Sequence, residues 1–195
     1  MESTPWTRPR PHVYGHRGAP GQVPENTLGS YAVAASSGVE YVEFDLVCTK
    51  DGHLVDRHEP NLRASTDVAS HPEFADRWRR VEFAGVVEEG WFTTDFTLEE
   101  LRSLRAREPL PALRPHTLEG CDDWGIPTVD DVLELRAEAS AQRGWELGVI
   151  PESKHSSLFH ALGYDPEALL MASLTRAGLP DAGALVRIES FEVGN

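Results

Sequence analysis

The sequence predicts an α/β fold built on parallel strands, and three observations predict it. Strand-like runs rich in Val, Phe and Leu alternate with runs of helical apolar spacing. Charged residues cluster at the carboxyl ends of the predicted strands, the edge where parallel sheets and barrels build their sites. The 195 residues are 40% apolar and 26% charged, ordinary values for a globular domain with a sizeable core.

Residues 1–11 read as a disordered or extended lead-in, because Pro5, Pro9 and Pro11 block regular pairing. His12–Tyr14 is a short strand that runs into Gly15-His16-Arg17-Gly18, where paired glycines mark a tight turn. Thr27–Ser37 has helical spacing through Leu28, Tyr31, Ala32 and Ala35, with Asn26 or Thr27 as cap and Gly38 at its end. Tyr41–Thr49 is a strong strand, Lys50-Asp51-Gly52 a turn, and His53–Arg57 a second short strand.

From Asn61 to about residue 127 the chain reads as an irregular insertion, with one helix near Pro72–Arg80 and a capped helix starting at Thr97. Thr128 opens a clear helix with Val129, Val132, Leu133 and Leu135 on its apolar side. Glu146–Ile150 is a buried strand that ends in Pro151-Glu152-Ser153-Lys154. Pro166–Ala177 is a helix, and Ala184–Phe191 a last strand. That makes five strands, near residues 13, 43, 55, 148 and 188, within a single domain spanning 12–195.

The charge excludes some classes of function. Eighteen basic against 32 acidic residues give a net charge of −14, which repels nucleic-acid backbones and anionic bilayers. No nucleic-acid partner and no stable membrane insertion are expected. Two cysteines rule out a disulfide scaffold. The first residues carry no apolar leader, so a cytoplasmic location is expected.

Glu43 and Asp45 are two apart in a strand, so their carboxylates share one face. Taken alone, such a pair more often faces solvent or meets arginine. On a buried face it needs a cation, and a hard divalent ion such as Mg²⁺ or Ca²⁺ suits it, with Glu152 to complete the set. His16 and His58 each follow a strand and can form a proton-transfer pair. Arg17 has the planar fork that fits phosphate. Lys154, judged alone, is a solvated lysine.

Together these blocks resemble the glycerophosphodiester phosphodiesterase family. The resemblance rests on Gly15-His16-Arg17-Gly18 with Pro24-Glu25-Asn26-Thr27, on Glu43-Phe44-Asp45, and on His58, 42 residues beyond His16. It rests also on Pro151-Glu152-Ser153-Lys154 and Glu189-Ser190-Phe191-Glu192. The long insertion resembles the bacterial subgroup in which it covers the site, through Thr66-Asp67-Val68-Ala69 and Phe96-Thr97-Leu98.

The resemblance implies a TIM-type barrel, incomplete here with about five of eight strands, since a whole barrel takes about 250 residues. It implies hydrolysis of small glycerophosphodiesters to glycerol 3-phosphate and an alcohol. Glu43, Asp45 and Glu152 would hold the metal, Ca²⁺ or Mg²⁺. His16 and His58 would exchange protons, while Arg17 and Lys154 would neutralise the phosphoryl charge. Glu25 would support the metal or bind a substrate hydroxyl, Asn26 would brace its loop, and Glu189 would give further support. Glu59 and Glu189 depart from the family's usual Asp and Gln, and Arg57 is an unusual cation beside His58. Two other outcomes stay open: an inactive or partner-completed barrel fragment that binds a cation or phosphate, and a related barrel phospholipase. Self-association through an open barrel edge is also expected.

Overall fold

The computed structural model describes residues 11–83, 85–118, 124–179 and 185–194. Strand β1 (Tyr14–His16) lies parallel to β2 (Tyr41–Cys48), with Tyr14 opposite Tyr41 and His16 opposite Glu43. Helix α1 (Leu28–Ser36) connects them. Its Thr27 cap accepts a hydrogen bond from the Ser30 amide, so the cap is Thr27 and not Asn26. All eight residues of β2 are buried, because the sheet is covered on both faces as parallel sheets are. Phe44 meets Tyr31 of α1 edge-on, at 6.1 Å between ring centres.

Strand β3 (Leu54–Asp56) turns back antiparallel on β2, with Leu46 opposite Asp56. This corrects the all-parallel reading: the third predicted strand is the return arm of a hairpin. Its connection, residues 49–53, is too short for the crossover a parallel pair needs.

The insertion carries two 3₁₀ turns, Val68–Ser70 and Pro72–Arg77, and then a separate hairpin of β4 (Arg79–Phe83) and β5 (Val86–Gly90). The helix expected to reach Arg80 therefore stops at Arg77. Helix α2 (Leu98–Arg102) has the expected Thr97 cap, with Glu100 closing the box from inside the helix. Helix α3 (Val129–Arg143) is capped by Thr128 and Asp131 in the same way, and ends at Gly144 in a left-handed conformation.

Strand β6 (Gly148–Ser153) pairs parallel with β2 on the side away from β3, placing Asp45 opposite Glu152. Two helices follow, α4 (Ser156–Ala161), unforeseen, and α5 (Pro166–Arg176), as expected. Of the last predicted strand, Ala184 lies outside the described residues. The rest is not a continuous strand. It runs beside β6 through two parallel bridges, Val149 to Val186 and Glu152 to Glu189. The parallel order is thus β1, β2, β6 and the 185–189 segment, part of a TIM-type barrel with β3 hooked onto β2. No helix among the described residues is long and apolar enough to cross a membrane.

Side chains from opposite edges share one face of this sheet. Arg187 donates to the Tyr14 hydroxyl and lies 4.4 Å above the Tyr41 ring. Tyr41 in turn lies over Gly148, where a Cβ would stand 3.0 Å from the ring's Cγ and overlap its nearer carbons. Gly148→Val is expected to destabilise the chain by about 2 kcal/mol, lowering Tm by roughly 4–8 °C. A melt of this variant matching wild type would show that the ring moves aside freely.

Candidate metal centre and acid–base site

The two strands at the centre of the sheet bring three acids together. Glu43 and Asp45 rise from one face of β2, and Glu152 from β6 beside Asp45. All three are buried, and one oxygen of each lies within 4.8 Å of the others. Lys154 Nζ donates to Glu152 Oε1 at 2.7 Å and stands 3.3 Å from Asp45 Oδ1. It offsets the charge of Asp45 without an aligned hydrogen bond, since Asp45 Oδ1 and Glu43 Oε1 are buried and lack hydrogen-bond partners.

Arg17 approaches from the turn after β1. Its amide donates to Glu43 Oε2 at 2.8 Å, and Nη1 donates to Glu25 Oε1 at 3.0 Å. Its Nε stands 3.2 Å from Asp45 Oδ2, poorly aligned for a hydrogen bond. The turn has to be tight: Gly18 has φ 86°, and a Cβ there would lie 2.6 Å from the Ser30 carbonyl carbon. Asn26 donates to Asp45 Oδ2 at 2.8 Å and accepts from the Tyr31 hydroxyl at 3.0 Å. Tyr31 also contacts the buried Asp56 carboxyl. Burial, with the charges of Asp45 and Glu43 added, pushes Asp56 well above the carboxylate range. A protonated Asp56 donating to Tyr31 lets Tyr31 donate to Asn26, so every proton in the chain leading to Asp45 has one owner.

Glu25 does not join the three acids. It sits between Arg17 and Arg114 of the insertion, whose Nη1 is 3.5 Å from Glu25 Oε2, so it holds Arg17. Glu189 is exposed and bridges to Glu152 through the backbone. His16 lies at the end of β1 rather than beyond it, with its Nε2 3.9 Å from Glu43 Oε2. Burial and the Arg17 charge lower its pKa. His58 follows β3, with its Nδ1 2.8 Å from Glu59 Oε1, and the other Glu59 oxygen lies 3.4 Å from Nε2 of His155, the residue after Lys154. His16 and Glu43 also line a cavity of about 530 Å³ with Tyr14 and Arg187.

The structure brings Glu43, Asp45, Glu152, His16, Arg17, Asn26 and Lys154 together, with Glu25 serving Arg17, His58 joined through Glu59 and His155, and Glu189 at the margin. Four participants were missed: Tyr31, Asp56, Arg114 and His155. Tyr31 was read only as an apolar helix position, and Arg114 sits in a proline-rich loop with no periodic signal. Arg17, Asn26 and His155 are the non-glycine residues with positive φ among the described residues, at 53°, 56° and 51°, and all three lie here. Such backbone strain collects where function fixes side chains.

The donor set fits a hard divalent cation. Two arms of the trio carry buried oxygens without hydrogen bonds, and all the donors are carboxylates. Burial, then the Asp45 charge, raises Glu43 to about 8. Unfolded glutamate ionises near about 4.3. Between these values the folded chain keeps a proton that the unfolded chain has lost, so stability falls as pH rises through that window. In EDTA, Tm is expected to drop between about pH 5 and pH 8, and the slope to flatten in Glu43→Gln. A slope unchanged by Glu43→Gln would locate the titration elsewhere.

A sequence model of the glycerophosphoryl diester phosphodiesterase family matches residues 16–173. The chain is 38% identical over 146 residues to the Arabidopsis thaliana glycerophosphodiester phosphodiesterase GDPD6, covering 75% of this chain and 37% of the relative. It is 29% identical over 195 aligned positions to the Haemophilus influenzae glycerophosphodiester phosphodiesterase, covering 92% and 49%. The chain thus spans about half, or less, of the curated relatives it matches. Among solved structures, an Oleispira antarctica phosphodiesterase in complex with the product sn-glycerol-3-phosphate superposes with a TM-score of 0.67 at 23% identity, over 94% of this chain and 58% of that one. A glycerophosphodiester phosphodiesterase from Agrobacterium tumefaciens gives 0.59 at 21%, over 93% and 58%.

Proposed function

The chain belongs to the glycerophosphoryl diester phosphodiesterase family, and from that premise we propose that its site hydrolyses glycerophosphodiesters to glycerol 3-phosphate and an alcohol with a divalent cation bound. The observation that carries this is the meeting of Glu43, Asp45 and Glu152 within 4.8 Å, beside His16 and the cationic side chains of Arg17 and Lys154. The three carboxylates would hold Ca²⁺ or Mg²⁺, which supplies Lewis-acid stabilisation of charge on the phosphoryl oxygens.

The chain's own residues do the rest. Arg17, held by Glu25, presents guanidinium N–H groups to a phosphoryl oxygen. Lys154 adds a second positive charge next to Asp45 and Glu152. The nucleophile, the glycerol 2-hydroxyl or a water, attacks phosphorus and gives its proton to one histidine. The bond from phosphorus to the leaving oxygen breaks, and the other histidine protonates that alkoxide. With water as nucleophile this gives glycerol 3-phosphate directly; with the 2-hydroxyl it leaves a cyclic 1,2-phosphate, which a water then opens at the bond from phosphorus to the 2-oxygen, the histidines exchanging roles, to give glycerol 3-phosphate. The substrate is a soluble diester rather than a bilayer lipid, which agrees with the net charge of −14.

The test is release of glycerol 3-phosphate from glycerophosphocholine, with and without EDTA. Release that EDTA stops and Ca²⁺ or Mg²⁺ restores is expected. A folded chain that takes up the cation and releases nothing would mark an inactive, cation-binding barrel piece. Faster turnover of bilayer lipid than of soluble diester would point to a barrel phospholipase.

A further inference from the structure

Glu59 stands between two histidines that lie far apart along the chain. His58 Nδ1 is 2.8 Å from Glu59 Oε1, and His155 Nε2 is 3.4 Å from Glu59 Oε2. Burial opposes ionisation of Glu59, but its contacts with His155 and His58 outweigh burial and hold its carboxyl well below the usual range. The carboxylate is therefore present as an acceptor. A carboxylate has no proton to give, so the ring nitrogen 2.8 Å away carries one, and neutral His58 keeps its lone pair on Nε2.

His155 is placed at some expense. It sits at the N-cap of α4 with φ 51°, yet its side chain makes no capping hydrogen bond there. Left-handed backbone is unfavourable at a non-glycine residue, and a residue at a cap usually turns its side chain to the helix amides. This ring turns instead to the loop after β3, 96 residues earlier. The charged and titratable groups facing Glu59 are His58 and His155.

We propose that His155 is a positioning residue: through Glu59 it fixes the ring orientation and tautomer of His58, so that the free Nε2 serves proton transfer. The inference rests on the hydrolase reading for its catalytic consequence, though not for its geometry. It also gives the departure at Glu59 a physical sense, because a side chain with one more methylene than aspartate can bridge both rings.

The experiment combines ¹⁵N-histidine NMR with kinetics on the full chain. In wild type at alkaline pH, His58 should show the pattern of a protonated Nδ1 and an unprotonated Nε2. His155→Leu should mix the tautomers and lower kcat on glycerophosphocholine by about tenfold to a hundredfold with KM little changed, as loss of a residue that orients an acid–base histidine does. His155→Gln, which keeps an N–H donor, should recover kcat to within about threefold. His155→Gly relieves the backbone, so it should melt no lower than wild type while kcat falls as in His155→Leu. An unmixed His58 signal in His155→Leu, or wild-type kcat in both His155→Leu and His155→Gly, would overturn the inference. Inactivity of the wild type with the expected His58 signal would refute the hydrolase reading and leave the positioning contact standing.

Discussion

Asp45→Asn is expected to abolish divalent-cation binding and to lower kcat/KM on a glycerophosphodiester at least about a thousandfold. Asp45 is fully buried and is the residue on which the site converges. One oxygen takes the Asn26 amide at 2.8 Å and lies 3.2 Å from Arg17, while the other lies 3.3 Å from Lys154. It alone of the three acids faces both cations directly. Asparagine keeps the volume and one acceptor but removes the charge. Arg17 keeps Glu25 at 3.0 Å and Lys154 keeps Glu152 at 2.7 Å, so neither cation is left buried without a carboxylate. The fold should therefore survive, with a melt within a few degrees of wild type, and the loss should be one of binding and rate. Titration calorimetry with Ca²⁺ and Mg²⁺ separates these. A variant that binds either ion as tightly as wild type would show that the trio is not the metal site.

What the sequence shows of this site, and what it hides, follows from the range of each signal. Glu43 and Asp45 were legible because two residues apart on a strand means one face, a purely local rule. Glu152 was legible because it closes an apolar run that had to be a buried strand. The direction of β3 was written in the short turn after Cys48 and went unread. The β4–β5 hairpin gave no alternation to read, because β5 is exposed or half-buried until Gly90 and so carries no buried face to pattern its residues. Asp56 and Tyr31 form their contact through space across α1 and β3, and a tyrosine in an apolar helical stripe looks like core until its hydroxyl finds a partner. His155 reaches Glu59 across 96 residues, which no local pattern announces.

Replacing either histidine should lower kcat by roughly a hundredfold to ten-thousandfold, the span that positioned acid–base groups contribute. The two arrive differently. His16 ends β1, beside the first half of β2, and its side chain is 68% exposed. His58 follows β3, which lies along the second half of β2. The two histidines thus come from strands that follow one another along the same edge of the carboxylate-bearing strand. Since they act in one step, His16→Ala and His58→Ala should not multiply: the double variant should be little slower than the slower single one. Their roles separate by substrate. A diester with a nitrophenyl leaving group departs without a proton, so the variant lacking the general acid should regain most of its rate on that substrate, while the variant lacking the base should not. Rates within tenfold of wild type for both single variants would remove the pair from the chemistry. Rescue of both by the activated leaving group would mean that neither accepts the nucleophile's proton.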